Sequence, residues 1–194
     1  MLALQGDVRE HLAALDRAGA EPVTVRDRSE LESVDGLIFP GGESTTIGRL
    51  LRVLGLEGSL RERLAAGMPT MSTCAGLILL STRVLDGSAD QMTLGLFDIT
   101  TRRNAYGRQV DSFEADVAVE PLGVAPFRAV FIRAPGIESV GERAHVIATH
   151  DGKPVAVTQG HHLGLGFHPE MTDDPRLHEL FVRSVEAALV SSVA

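Results

Sequence analysis

The stretch Pro69-Thr70-Met71-Ser72-Thr73-Cys74-Ala75-Gly76-Leu77-Ile78-Leu79-Leu80 constrains the fold more than any other. An apolar run ends in small residues, the chain's one cysteine follows, and a second apolar run then repeats with helical spacing. That order places Cys74 on a corner between a strand and a helix, an elbow that can present a nucleophile. Ala75 and Gly76 let the chain reverse without side-chain clashes, and backbone N–H groups there can face a developing oxyanion. A thiol at a helix N-terminus also meets the positive end of the helix dipole, which favours the reactive thiolate. A lone cysteine in an apolar stretch is equally the mark of a small core residue without chemistry. His168-Pro169-Glu170 separates the two readings. In extended backbone, residues i and i+2 project to one side, so Glu170 can orient one imidazole nitrogen while the other faces a thiol. Proline is expected to hold that segment out of helical conformation.

Around the elbow the chain alternates strand, turn and helix. Residues 1–4 read as a short buried strand, and Asp7 as the N-cap of a helix running to Gly19 with Val8, Leu12 and Leu15 on its apolar stripe. Residues 22–25 and 36–39 read as strands two and three, joined by a short polar link. Strand three ends in Pro40-Gly41-Gly42-Glu43-Ser44-Thr45-Thr46, after which Ile47, Leu50, Leu51 and Leu54 recur at helical spacing. Two glycines after a strand permit positive φ or a peptide flip and close approach of a ligand, although a tight turn with a Ser/Thr cap gives the same pattern. A further helix over 56–66 leads to the elbow strand.

This pattern predicts an α/β fold, a flavodoxin-like three-layer sandwich with a mostly parallel central sheet, and ligands at the carboxyl ends of its strands, where Gln5, Gly42 and Cys74 fall. Residues 113–120, 127–133, 145–149, 154–159 and 163–167 are β-like with few helices between them, so added antiparallel strands are expected in the second half. Asp174-Pro175 opens a last helix whose Leu177, Leu180, Phe181 and Val185 face the core.

With 194 residues the chain suits one domain, residues 1–194. A net charge of −8 without clustered Lys and Arg argues against nucleic acid. No apolar run approaches the roughly 18 residues that span a bilayer, so no membrane role is expected. There is no basic region with a long apolar core at the start, and one cysteine excludes an internal disulfide, which fits a reducing cytoplasm. Seven histidines invite a metal, but their spacings do not match ligand sets, so no metal or other cofactor is expected.

The elbow, the Pro40–Thr46 turn and the His168–Glu170 segment, in that order, resemble class I (triad) glutamine amidotransferases. Leu4-Gln5-Gly6-Asp7-Val8-Arg9-Glu10-His11, the interior block Arg103-Asn104-Ala105-Tyr106-Gly107-Arg108-Gln109-Val110-Asp111-Ser112-Phe113, and Phe131-Ile132-Arg133-Ala134-Pro135 narrow the resemblance to the glutaminase subunits of pyridoxal 5'-phosphate synthase. The resemblance implies Cys74 as nucleophile, His168 as general base and then acid, and Glu170 as the residue that orients the imidazole. It implies glutamine contacts at Gly42, Glu43, Ser44, Arg103, Ile132 and Arg133, and an oxyanion hole from Ala75 and Gly42. The partner it implies is a (β/α)-barrel synthase subunit, in a large hetero-oligomer, with a peptide flip at Gly41-Gly42 when the two bind. An inactive docking subunit, or another cysteine-elbow hydrolase of similar fold, are the alternatives.

Two departures from the family pattern stand out. Ser72 occupies a usual glycine position, where its Cβ would crowd a turn needing positive φ. The first strand begins at Met1, so it is either short or starts upstream, and its shortness threatens the placement of Gln5. The remaining histidines read as solvated or satisfied structural residues, with His11 a candidate to face a partner.

Overall fold

The structure, a computed structural model, describes residues 1–103, 105 and 112–193. Leu2 forms a parallel bridge to Val25, and helix α1 follows (Val8–Arg17). Next come helix α2 (Arg28–Glu32), strand β1 (Leu37–Phe39), helices α3 (Ser44–Val53) and α4 (Leu56–Ala65), the elbow strand β2 (Thr70–Thr73) and helix α5 (Ala75–Leu80). The rest is strand-rich: β3 (Ser81–Leu85), β4 (Phe97–Arg102), β5 (Phe113–Val117), β6 (Phe127–Phe131), β7 (Gly136–Val140), β8 (His145–His150), β9 (Lys153–Gln159) and β10 (His162–Leu165), before helix α6 (Arg176–Val193).

The central sheet has the order β1-β2-β10-β9-β8. Both neighbours of β2 run parallel to it, whereas β9 pairs antiparallel with β10 and with β8. The parallel part comes mainly from the alternating first half of the chain and the antiparallel part from the second half, as the pattern predicts. Alternation along the strands sorts side chains into two cores, one per face. Leu37 and Phe39 join Ile47, Leu51, Leu60 and Leu77 from α3, α4 and α5. Ile38, Met71 and Leu163 face the other way, onto Leu15 of α1, Leu177 and Phe181 of α6, and the β5–β6 hairpin. Three layers result.

Several local expectations are corrected. The strands at 1–4 and 22–25 shrink to the single Leu2–Val25 bridge, with Leu2 N–H on the Ile38 carbonyl of β1 at 3.0 Å and Val25 N–H on the Met1 carbonyl at 2.8 Å; the outer segment is the open one, and Val23 stays 43% exposed. Gln5 is nonetheless in place, as described below. The polar link contains α2, capped by the Asp27 carboxylate on Glu30 N–H at 2.9 Å and anchored by buried Leu31. Leu54 ends its helix and is 51% exposed instead of packed. Strands β3, β4 and β7 form a second sheet that the sequence reading passed over. Yet β4 alternates cleanly, with Phe97, Ile99 and Thr101 buried. Ser72 sits in strand β2 without positive φ; the strained position is Cys74 instead. The Ser72 hydroxyl is buried with no hydrogen-bond partner among the described residues. Of the interior Arg103 block, residues 104 and 106–111 lie outside the described residues. No helix among the described residues is long and apolar enough to cross a membrane.

Candidate active site

The elbow forms because β2 stops at the carboxyl end of the sheet while α5 starts at once. Cys74 bridges them at φ 47° and ψ −104°, a conformation that costs a non-glycine residue on the order of 1–3 kcal/mol and persists only when its surroundings hold it. They do. Its N–H donates to the Leu165 carbonyl at 2.9 Å, and its carbonyl accepts from Leu77 and Ile78 at 3.1 and 3.3 Å. Gly76 lets α5 lie directly on β1, since a Cβ there would stand 2.3 Å from the Phe39 carbonyl oxygen. The sulfur opens on a cavity of about 340 Å³.

His168 follows β10, its N–H held by the Val130 carbonyl at 2.9 Å. The segment after it is not extended: Pro169–Met171 is one turn of 3-10 helix with proline at its start. Proline suits the first turn of a helix, where its missing N–H is not needed. The turn still brings Glu170 to the ring, with Nδ1 and Oε1 2.7 Å apart. A second carboxylate, Asp7, stands 3.4 Å from the same nitrogen. Asp7 is the N-cap residue of α1, as the sequence reading expects, but its carboxylate makes no cap hydrogen bond and turns to the imidazole instead. Burial by itself lowers the His168 pKa, but the neighbouring Asp7, Cys74 and Glu170 side chains overrule it and push the value up to about 12. Burial raises Glu170, opposed by its hydrogen bond and charge interaction with His168. Nε2 of His168 is buried and has no partner at ordinary hydrogen-bond geometry among the described residues. It is the nitrogen left for the thiol.

The wall opposite is the glycine turn. A Cβ on Gly41 would stand 2.4 Å from His168 Cε1, and one on Gly6 1.8 Å from the Gly41 carbonyl oxygen, so both chains approach only as glycine. Gly42 has φ 142° and faces the Gln5 amide, whose oxygen accepts from Glu43 N–H at 2.8 Å. Glu43 caps α3 through Thr45 and Thr46 N–H, at 3.1 and 2.6 Å. Those bonds outweigh its burial and hold its pKa below the usual carboxylate value. The same carboxylate pairs with Arg103 at 3.0 Å. Gln91 then ties Arg103 and the Ser44 hydroxyl together, accepting from them at 3.3 and 3.1 Å. Ala75 is the first residue of α5, so its N–H has no intrahelical partner. The Ile132 carbonyl accepts from the Cys74 sulfur at 3.9 Å, and Arg133 follows with φ 45°.

Gly42, Glu43, Ser44, Cys74, Ala75, Arg103, Ile132, Arg133 and His168 therefore line one cavity, and Glu170 stands behind His168. The sequence reading missed Asp7 and Gln91 as members of this cluster. Neither carried a signal, since a helix-start aspartate and a loop glutamine have commoner explanations. His11 does not face a partner: it is fully buried, as a satisfied structural histidine would be, with its ring nitrogens on His178 and Thr73. Asp7, His168 and Glu170 bring donor atoms within 4.8 Å of one another, and the imidazole nitrogen at their centre is engaged by the Glu170 carboxylate.

Acid sensitivity follows from the buried histidines. Burial lowers His178 to about 4 and lowers His11 well below its ordinary value. An unfolded histidine takes up a proton near pH 6.5, so the unfolded state binds more protons as pH falls below that point. Stability is expected to drop between pH 6.5 and 4, by on the order of 3 kcal/mol for His178 alone. Urea melts across that range, with His178→Gln showing a shallower decline, would check it.

A sequence profile of the SNO glutamine amidotransferase family matches residues 1–187. The pyridoxal 5'-phosphate synthase subunit PdxT of Acidothermus cellulolyticus is 56% identical over 192 residues, covering 96% of this chain and 93% of its own. That of Mycobacteroides abscessus is 55% identical over 187 residues, covering 96% of each. A crystal structure of a glutamine amidotransferase superposes with a TM-score of 0.89 at 47% identity, over 95% of this chain and 97% of its own. The PurLQS structure from Thermotoga maritima, with a TM-score of 0.69 at 17% identity over 96% and 95% of the two chains, shares the fold alone.

Proposed function

The chain belongs to the SNO glutamine amidotransferase family, and we propose that Cys74, His168 and Glu170 hydrolyse L-glutamine to L-glutamate and ammonia for a pyridoxal 5'-phosphate synthase. The observation that carries the reading is the buried His168, clamped on Nδ1 by Glu170 with Nε2 unengaged, at the wall of the cavity on which the strained Cys74 opens.

The Cys74 thiolate attacks the side-chain amide carbon of glutamine, and the carbonyl oxygen becomes an oxyanion. The N–H of Ala75 and a peptide N–H at Gly42 stabilise that charge. His168, kept protonated by its acceptors, gives its proton to the departing ammonia. The neutral imidazole then takes a proton from water, which attacks the γ-glutamyl thioester and frees glutamate and the thiol. Glu170 holds the ring orientation and balances its charge in both halves. Arg103 and Arg133 are the cations on the cavity wall for the substrate carboxylate, and Gly42, Glu43, Ser44 and Ile132 complete the amino acid site.

The ammonia passes to a (β/α)-barrel synthase subunit within a large hetero-oligomer, in the cytoplasm, where a single thiol stays reduced. Gly42 carries the regulation. Docking of the synthase flips the Gly41-Gly42 peptide, which two glycines permit, and so turns the Gly42 N–H to complete the oxyanion hole, while the next peptide stays tied through Glu43 N–H to Gln5. Loss of one such donor lowers the rate roughly 100- to 1000-fold, so the isolated chain is expected to hydrolyse glutamine that much more slowly than the complex.

The test supplies the complex with amide-15N glutamine in excess unlabelled ammonium. Label in the pyridoxal phosphate near that of the glutamine, with glutamate formed in step, supports the reading. No glutamate release by the complex would overturn it.

A further inference from the structure

We propose that His11 is a positioning residue for the glutaminase reaction: its ring joins the second carboxylate oxygen of Glu170 to the hydroxyl of Thr73, tying the triad acid to the residue before the nucleophile. The proposal rests on the triad chemistry above. Nothing in that chemistry uses His11, although the ring is fully buried on α1.

The geometry is specific. His11 Nε2 lies 3.2 Å from Thr73 Oγ1 and 3.4 Å from Glu170 Oε2. Glu170 Oε1 is engaged by His168, but Oε2 is buried and makes no hydrogen bond of its own. A buried carboxylate oxygen without a donor is costly, on the order of 1–3 kcal/mol or more for a charged group. His11 Nε2–H is the donor placed to close on it.

The proton's location on His11 follows from the next ring. His11 Nδ1 and His178 Nε2 are 3.0 Å apart, and the other nitrogen of His178, Nδ1, is buried with no partner among the described residues. If His178 carried its proton on Nδ1, a buried N–H would be orphaned, which is rarer than an orphaned acceptor. His178 therefore donates from Nε2 to His11 Nδ1, and His11 keeps its proton on Nε2, aimed at Glu170 and Thr73. The two ring N–H groups thus run in one direction, from His178 to His11 and from His11 to the edge shared by Thr73 Oγ1 and Glu170 Oε2. Both rings stay neutral because burial lowers their pKa values.

The consequence concerns the charge on Glu170. With His11 in place, both carboxylate oxygens face donors, so the group remains an anion opposite the His168 imidazolium. Without it, burial drives Glu170 toward its protonated form. The groups that bear on this balance are His168, Asp7 and His11 around Glu170, and His178, His168 and the Met1 ammonium around His11, with Arg17 acting on His178.

The test compares His11→Gln, His11→Asn and His11→Leu in the assembled complex with the synthase. Glutamine's side-chain N–H₂ reaches where Nε2 stands; asparagine's does not; leucine removes the donor. Glutamate release is followed against pH, and synthesis driven by ammonium salts is followed in parallel as the measure of intact folding and docking. Expected for Leu and Asn is a kcat loss of about 100-fold, KM within twofold of wild type, the acid limb of the kcat profile moved to higher pH, and ammonium-driven synthesis retained. Gln is expected to keep kcat within about fivefold. Equal losses in Gln and Asn, or a wild-type kcat and pH profile in either Asn or Leu, would overturn the proposal. Should Leu fail to fold, the Gln–Asn contrast decides alone. A wild-type complex that releases no glutamate would fail the glutaminase reading itself, which is a separate outcome seen before any variant is compared.

Discussion

Cys74→Ala is expected to abolish glutamine-dependent synthesis of pyridoxal 5'-phosphate while leaving synthesis from ammonium salts near wild type. The thioester route has no alternative nucleophile, since this is the chain's one cysteine. Removing the nucleophile of a triad lowers kcat by roughly a millionfold, down to what binding and the oxyanion hole supply by themselves. Ammonium enters downstream of the lost step, so the partner's chemistry goes on. Residual glutamine-dependent activity above about 1% of wild type would remove Cys74 from the mechanism, because no triad lacking its nucleophile retains that much.

The same position makes a prediction of opposite sign for stability. Cys74 is held at φ 47°, so Cys74→Gly relieves a strain of about 1–3 kcal/mol while Cys74→Ala, which keeps its Cβ, does not. Melting the two inactive variants side by side should show the glycine variant to be the more stable. A reversed order would mean that the elbow stores no strain.

Gly76→Ala is expected to damage the fold more than most single substitutions. The added Cβ would stand 2.3 Å from the Phe39 carbonyl oxygen and 2.9 Å from Phe39 Cβ, and neither can retreat easily. Phe39 is fully buried and its strand is hydrogen-bonded to β2. The first turn of α5 must move instead, which opens the core where Leu77 packs and carries Ala75 away from the cavity wall. A loss of at least about 3 kcal/mol is the expected outcome, at the upper end for overpacking. Gly58→Ala is the matched control: it lies inside α4 with nothing within 4 Å of the new Cβ. There the better helix propensity should raise stability by about 0.5–1 kcal/mol. Chemical denaturation of both variants checks the contrast, and equal midpoints would show that α5 is not held against β1 as described.

The elbow was legible because its signals are local. A change of hydrophobic period around one small-residue pair marks a strand turning into a helix, whatever lies around it. The glycine turn was legible for the same reason, and the role of its glycines became clearer in three dimensions: Gly41 makes room for the His168 ring and Gly42 for the Gln5 amide. The reading of Glu43 and Ser44 divided, for Glu43 is itself the helix cap while still lining the cavity. Strand β4 carried a readable alternation that went unread. The strands at residues 1–4 and 22–25 had the right composition, but a strand needs partners along its length, and here regular pairing is limited to the Leu2–Val25 bridge and one bond from Leu2 N–H to the Ile38 carbonyl of β1.

By itself the sequence determined the layered α/β architecture, the corner at Cys74 and the pairing of His168 with Glu170, since each depends on residues a few positions apart. Only the tertiary structure decided that the Pro169 turn is helical, that the Asp7 carboxylate turns from its helix N-terminus to the imidazole, and that Gln91 and Arg103 brace Glu43 and Ser44. It alone buried His11 against Thr73, Glu170 and His178, residues 62 to 167 positions away. The physical reason is that periodicity reports which face of an element meets the core, whereas the partner waiting on that face is set by sheet order and register, which distant segments settle together.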